Sequence, residues 1–551
     1  MKKVGQKIIY SPSDLLTFFN SPFASWMDRY FLEHPDKLKP DKPNEQAQFI
    51  INLGNKHEKD VLNELEDQKF GVAKIEGRDI NNAREKTLVA FLNKTPVIYQ
   101  AFLEHENFAG FADFVMLNDR NEYQVWDTKL AFSLKPTYVI QLCYYYEALK
   151  NIKAIPLSNK IGVIFGTKEK EEYSVEDFFY FYLHLKEEFL KMQDSFTFDF
   201  KDRPEPLRRV DHGRWDSSAK NFFQEIDHLS KIASISTSQI KKLKDVGIKT
   251  MKSVANLTNT KKIKIEKNKL EKIVTQAKLQ VKTEEKRKEN PLATPEFIVL
   301  KEEECKGGLN TLPSETTEDV FFDMEGYPLM HGGLEYLFGA SVKNKKTGNL
   351  DFYDWWAHSR EEEKIALEEF IDWAYKRWQK NKEMHIYHYA SYEVTAIRRL
   401  STMHNTRQDE IDDLLRNEVF IDLYKVIKNG IMIGTESYSI KDVELLYRPK
   451  RDTSVASGSD SIVQYAQWIA SGESKDPGLS KILSDIRSYN KDDCDSTAEL
   501  VDFLRKIAKE NNIETGKIIE KEAEKVEENE DIKKEIEERK ELEKTLYQKK
   551  E

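Results

Sequence analysis

The sequence predicts an α/β fold spread over several domains. Two stretches, 110–145 and 319–400, pair apolar runs around polar turns and follow them with amphipathic helices. A lysine-rich helical stretch stands between them, and 551 residues suit two to four domains. The composition, 33% charged and 39% hydrophobic, fits globular domains with some solvated helix, and the net charge of −10 means that any nucleic-acid surface must be local. Cys143, Cys305 and Cys494 lie far apart. They give no disulfide framework and no cysteine-rich metal site, and they suit a reducing, cytoplasmic setting. The N-terminus MKKVGQKIIYSPSD has no long apolar core of the signal-peptide kind. No apolar run reaches the roughly 18 residues of a membrane span, so no membrane partner is expected.

In chain order, residues 8–32 read as helix, with Ser11 or Ser13 as cap, a start at Asp14, and Leu15, Phe18, Phe19, Phe23 and Trp26 as core. Residues 52–70 form a helical run carrying His57. Glu104 lies on a strand just before the first chemical stretch and is a candidate supporting acid. In that stretch, runs 111–117 and 123–130 flank the turn 118–121, a hairpin signature. Asp113 stands on one run. Asp127 and Lys129, at i and i+2, project from one face of the other. Gln141 and Tyr145 follow at i,i+4 on one face of a helix. Two carboxylates with a lysine beside them suit phosphodiester hydrolysis, in which a metal activates water and a cation stabilises developing charge. Residues 161–166 and 178–192 read as a late strand and a closing helix.

Gly-x-x-Asp, Asp-x-Lys and Gln-x-x-x-Tyr at Gly110–Asp113, Asp127–Lys129 and Gln141–Tyr145 resemble the RecB-type branch of the PD-(D/E)XK nucleases. The resemblance implies a restriction-endonuclease-like domain over 1–218. It gives catalytic roles to Asp113, Asp127, Lys129, Gln141 and Tyr145, and adds His57 as a metal ligand beside Asp113 and Asp127. Relatives often hold an iron–sulfur centre between a cysteine near the position of Ser21 and a cluster near 204–218. Both cysteine sets are missing here, so no iron–sulfur or zinc staple is expected. Local packing takes its place, and His212 reads as a surface histidine.

Residues 219–290 change character. The segment 229–257 looks like a helix–hairpin–helix unit with Gly247 at its turn, and such turns present N–H groups to phosphate. From Lys241 to Asn290, 15 lysines and Arg287 face six acids, a net of +10. This local charge suits salt-sensitive, sequence-independent binding; the bland alternative is a solvated helical linker. Residues 282–295 read as the linker.

A second centre begins at 319. Asp323 and Glu325 stand at i,i+2 on an apolar strand. Residues 335–357 read as a hairpin turning at Gly348, 361–379 as a helix, and 385–400 as a strand leading into a helix with Glu393 near its start. Asp422 follows another apolar step and reads as a structural or supporting acid. Residues 487–504 form a helix with Tyr489 and Asp493 at i,i+4. This order resembles the DEDD (DnaQ-like) exonucleases of the RNase H-like superfamily. The resemblance implies that Asp323, Glu325, Glu393 and Asp493 hold two divalent ions and that Tyr489 positions the attacking water. Glu393 departs from the aspartate usual there, and Asp493 is chosen over Asp492 and Asp495 by its spacing from Tyr489. Hard oxygen ligands favour Mg²⁺ or Mn²⁺.

The whole arrangement looks like a family of RecB-like nucleases fused to an RNase H-like module over roughly 10–505. It implies an RNase H-like domain at 291–510 after the basic region 219–290, with a charged Lys/Glu helical tail at 511–551. The expected activity is metal-dependent nucleic-acid hydrolysis, exonucleolytic, at two centres, with DNA favoured and RNA open. There is no P-loop sequence, so a helicase would be a separate partner chain. The rival readings are a nuclease subunit that depends on such a helicase and a nucleic-acid-binding scaffold with one inert site.

Overall fold

The computed structural model describes residues 1–516 apart from 78, 153–154, 259–261, 302–306 and 450–457. Cys305 and, from 517 on, the expected tail helix lie outside the described residues. A short hairpin, β1 (Lys2–Val4) and β2 (Lys7–Ile9), leads to α1 (Pro12–Asn20) and α2 (Pro22–Glu33). The Asp14 carboxylate accepts 2.8 Å hydrogen bonds from the Ser11 N–H and hydroxyl, closing the first turn of α1. One opening helix was expected, but two form. Pro22 has no N–H to continue α1 and serves as a first-turn residue of α2, which Ser21 caps.

The chain then forms α3 (Glu45–Asp67), β3 (Val72–Lys74), α4 (Ile80–Leu92), β4 (Val97–His105), β5 (Phe108–Leu117), β6 (Tyr123–Thr128), α5 (Pro136–Lys150), β7 (Lys160–Ile164), β8 (Lys170–Ser174) and α6 (Phe179–Asp194). The strands make one six-stranded sheet in the order β3-β4-β5-β6-β7-β8. Neighbours pair antiparallel except β3/β4 and β6/β7, which are parallel. Alternation along the strands sets the layers. Phe114, Met116 and Trp126 pack on Val61, Leu62 and Leu65 of α3, while Val115 and Val125 join the core built with Val139, Ile140 and Leu142 of α5.

In the position of the absent cysteines, Phe23, Trp26, Met27 and Tyr30 pack against Trp215 and Ala219. Ser21 Oγ lies 2.7 Å from His212 Nδ1, and His212 Nε2 lies 3.0 Å from the Leu207 carbonyl. His212 is thus buried, not the surface histidine expected, because both ring nitrogens find partners inside.

Next come α7 (Asp216–Glu225), α8 (Thr237–Asp245), α9 (Met251–Ala255), α10 (Lys267–Glu289) and β9 (Phe297–Val299). Gly247 stands between α8 and α9 at φ +84°, a left-handed position that suits glycine. The second sheet is built from β10 (Val320–Tyr327), β11 (Leu334–Lys343) and β12 (Leu350–Trp356), with α11 (Arg360–Lys380) leading to β13 (Ile386–His388), and α12 (Tyr392–His404) and α13 (Gln408–Arg416) leading to β14 (Phe420–Asp422). The remaining elements are α14 (Leu423–Gly430), β15 (Ile431–Ile433), α15 (Ile440–Glu444), α16 (Gly458–Ser471) and α17 (Lys481–Glu510). The linker expected at 282–295 is helical as far as Glu289. That helix, α10, turns its buried Gln276, Gln280 and Thr283, at i, i+4 and i+7, inward, and Gln276 Nε2 donates to the Ile433 carbonyl of β15 at 2.7 Å.

The order of the five-stranded sheet is β12-β11-β10-β13-β14, antiparallel on the β11 and β12 side and parallel on the β13 and β14 side. Along β10, Val320, Phe322 and Met324 enter the core formed with α11, where the Phe322 and Phe370 rings stack at 4.2 Å. Phe321 turns the other way, into the cluster with Leu500 and Leu504 of α17. Asp323 and Glu325 share that second face. No described helix is long and apolar enough to cross a membrane.

Candidate active site

The two acids of β10 meet α17. Asp323, Glu325 and Asp493 each offer a carboxylate oxygen, and these atoms all lie within 4.8 Å of one another. Among the described residues, this is the group of acids, histidines and cysteines whose donors converge closely enough to hold an ion. The crowded aspartates of α17 are separated by their partners. Asp492 takes a 2.7 Å hydrogen bond from Arg448, and Asp495 accepts from Ser341 at 2.6 Å and pairs with Lys491. Asp493 turns to the cluster, and the Tyr489 phenol, hydrogen-bonded to it, is pushed far up by burial and then by the negative charge of Asp493. Glu393 stands outside the converging trio. It is buried with its Oε2 3.3 Å from His388 Nδ1, yet close enough for its charge to bear on Asp323. Asp422 caps α14 by accepting from the Tyr424 N–H at 3.0 Å and holds the Ala390 N–H at the same distance.

The trio's electrostatics suit a divalent cation. Burial, followed by Asp493, Glu325 and Glu393, raises Asp323 well above the usual carboxylate range. Glu325 is pushed up to about 8, chiefly by burial. Hard oxygen donors held this close, and driven toward neutrality for want of a counter-charge, fit Mg²⁺ or Mn²⁺. A pH signature follows. A carboxyl raised in the folded state gives stability that is present at low pH and lost as pH rises through its folded value. The melting temperature in EDTA should therefore fall between about pH 5 and pH 8.5, while the increment from millimolar Mg²⁺ or Mn²⁺ should grow over the same range. Thermal melts at both ends of that range check this.

Three supporting groups carried no sequence signal. Asn490, fully buried on α17, donates Nδ2 to Asp323 Oδ2 at 2.7 Å. Ser461 on α16 donates to Glu325 Oε2 at 2.6 Å. Gly339 pairs with Asp323 across β10 and β11, and a Cβ there would stand 1.7 Å from Asn490 Oδ1. Only the glycine lets α17 come this close.

The first sheet carries another constellation. Extending the β5–β6 register beyond Phe114 and Trp126 sets Asp113 opposite Asp127. Asp113 Oδ2 accepts from the Thr128 N–H at 3.0 Å and hydroxyl at 2.9 Å. Asp127 is 1% exposed; its Oδ2 pairs with Lys129 Nζ at 2.5 Å and its Oδ1 has no hydrogen-bond partner. Burial raises Asp127 well above its usual range. Burial works to lower Lys129, but Asp127 and Asp113 outweigh it and keep the ammonium charged. From α5, the Tyr145 hydroxyl donates to the Phe111 carbonyl at 2.6 Å and takes a hydrogen bond from Gln141. Burial and then the charges of Asp113 and Asp127 push that phenol up.

His57 is not brought into a ligand set with Asp113 and Asp127 among the described residues. Its Nε2 lies 3.4 Å from the Ile164 carbonyl of β7, which also accepts the Lys129 N–H. Its neighbour Glu58 is turned toward the centre. Glu58 Oε1 accepts from Gln100 Nε2 at 2.6 Å, and burial followed by the charge of Asp113 raises its carboxyl. Gln100 sits in β4 at φ +56°, uncommon for a non-glycine residue, and its left-handed turn interrupts the ladder opposite Asp113. Glu104 lies away from this centre, exposed and paired with Arg84 at 2.5 Å.

A family model of the RNase H superfamily matches residues 320–505. This span takes in the five-stranded sheet from β10, the converging trio and most of α17, and supports an RNase H-like domain of nuclease type there; RNase H-like nucleases use divalent metals, and the trio could hold one. No curated protein matches the chain.

Proposed function

We propose that the chain is a Mg²⁺- or Mn²⁺-dependent nuclease with two centres, acting on DNA, single-stranded or from ends. One observation carries the reading: three carboxylates converge within 4.8 Å inside the region that matches the RNase H superfamily. Asp323, Glu325 and Asp493 would hold the ion, which supplies charge at the phosphate and an acidified water. Asn490 and Ser461 fix the rotamers of two of these acids, Tyr489 orients the water, and Glu393 deepens the negative field. The first centre is proposed as a RecB-type PD-(D/E)XK site in a domain over 1–218. Asp113 and Asp127 would hold its ion there, Lys129 would stabilise charge on the phosphate, and Gln141 and Tyr145 would brace the hairpin. His57 keeps a place beside it through β7.

A digestion panel tests both centres: wild type, Asp127→Ala, Asp323→Ala and the double variant, on single- and double-stranded DNA with Mg²⁺ or Mn²⁺. Each single variant should lose part of the activity and the double variant all of it. A wild type that cuts nothing, or a double variant as active as wild type, refutes the reading.

The basic region 219–290 is proposed to hold the phosphate backbone through the turn at Gly247. Lys241, Lys242, Lys249 and Lys252 are exposed around it. Changing all four to Gln should flatten the plot of log affinity against log salt by about 0.7 for each single-strand phosphate that these lysines neutralise. An unchanged slope would remove the role.

A further inference from the structure

The two centres are joined by packed elements at two places. The loop leaving the first centre reaches Phe132 three residues after Lys129, and the turn leaving the second reaches His331 six residues after Glu325. The two rings meet edge to face, with centroids 5.1 Å apart at 81°. Neither is buried, and His331 is exposed. Guanidinium groups flank the turn: Arg360 donates to the His331 carbonyl, and Arg399 donates to the Gly332 carbonyl at 3.0 Å.

The second junction is helical. Phe49 of α3 packs into the cluster of Tyr465 and Trp468 on α16. Phe49 lies nine residues before Glu58, about 13 Å of helix, and Tyr465 four residues after Ser461, about 6 Å. With helices packing about 8–10 Å apart, Glu58 at one centre and Ser461 at the other lie within about 30 Å. That is the length of about nine stacked nucleotides at 3.4 Å each.

We propose that Phe132 and His331 form a stacking platform on which one single-stranded nucleic acid crosses from the first centre to the second. Aromatic rings that keep part of their surface open to solvent suit a single strand, whose unpaired bases offer their faces, and not a duplex, whose bases are already stacked; the two arginines, paired with Glu363 and Glu335, hold the turn in place. The proposal rests on the two-centre reading and names the substrate form those centres share: an unpaired strand long enough to reach both.

The test is binding by the full chain in EDTA, read as fluorescence anisotropy. The probes are labelled single strands of about 6 and about 20 nucleotides, and a duplex of about 20 pairs. Replacing both rings, Phe132→Ala with His331→Ala, should weaken the long strand about tenfold or more and leave the short strand and the duplex within about twofold. Phe132→Trp, which keeps a ring, should bind the long strand like wild type. Equal weakening of all three probes, or an unaffected long strand, overturns the platform. Failure of the nuclease reading is separate, since it would appear as a wild type that cuts nothing once Mg²⁺ is added.

Discussion

Asp493→Ala should slow divalent-dependent cutting by the RNase H-like domain about a thousandfold, while Asp492→Ala and Asp495→Ala stay within about tenfold of wild type. A bound ion provides several kcal/mol of charge stabilisation in the transition state, and each tenfold in rate is about 1.4 kcal/mol. Of the three aspartates on α17, only Asp493 has its carboxylate with those of Asp323 and Glu325. Asp492 is occupied by Arg448 and Asp495 by Ser341 and Lys491. Single-turnover rates in an Asp127→Ala background keep the other centre from masking the loss. Equal losses for all three variants would mean that the helix as a whole, and not one ligand, sustains the activity.

Gly339→Ala should be nearly as damaging, although the new methyl meets no acid directly. The added methyl would stand 1.7 Å from Asn490 Oδ1 and 3.1 Å from the Phe352 ring. Asn490 would have to leave Asp323, or α17 would have to lift from β11. Overpacking of this kind costs about 1–3 kcal/mol and sometimes more. Urea denaturation should show that loss, and Asp323 without its amide partner should bind the ion less well. Asn490→Ala separates the two effects: it removes the hydrogen bond and opens space, so it should weaken metal binding with a smaller loss of stability. Wild-type stability and ion affinity in Gly339→Ala would contradict the close packing of α17 on β11.

Most of the secondary structure could be read from periodicity. The hairpin of β5 and β6, the hairpin of β11 and β12 with Gly348 at its turn, and the strand pattern of Asp323 and Glu325 all follow from alternation and turn residues. The misreadings have local causes. Apolar spacing ran through Ser21 and hid the break at Pro22. The high charge of α10 masked an inward stripe of single polar residues, Gln276, Gln280 and Thr283, which bury themselves by hydrogen bonding and not by hydrophobicity. His212 read as surface because its partner Ser21 is 191 residues away. Within the sites, charged residues at short spacing were legible, and their supports were not. Asn490 and Ser461 are ordinary polar residues until the fold sets them against Asp323 and Glu325. Glu58 was overshadowed by His57, because helical periodicity does not say which of two adjacent polar residues faces the acids of the sheet: His57 is the more buried, but Glu58 is the one that Asp113 acts on.

Asp323, Glu325 and Asp493 are proposed as a divalent-metal site. Mn²⁺ titrated into the full chain, with free Mn²⁺ followed by electron paramagnetic resonance, checks the site, with Asp127→Ala and Asp127→Ala/Asp323→Ala as the paired samples. Asp127→Ala should still bind Mn²⁺, more tightly as pH rises through about 8, and adding Asp323→Ala should abolish this binding. Equal Mn²⁺ uptake by the two variants, or none by wild type, would contradict the site.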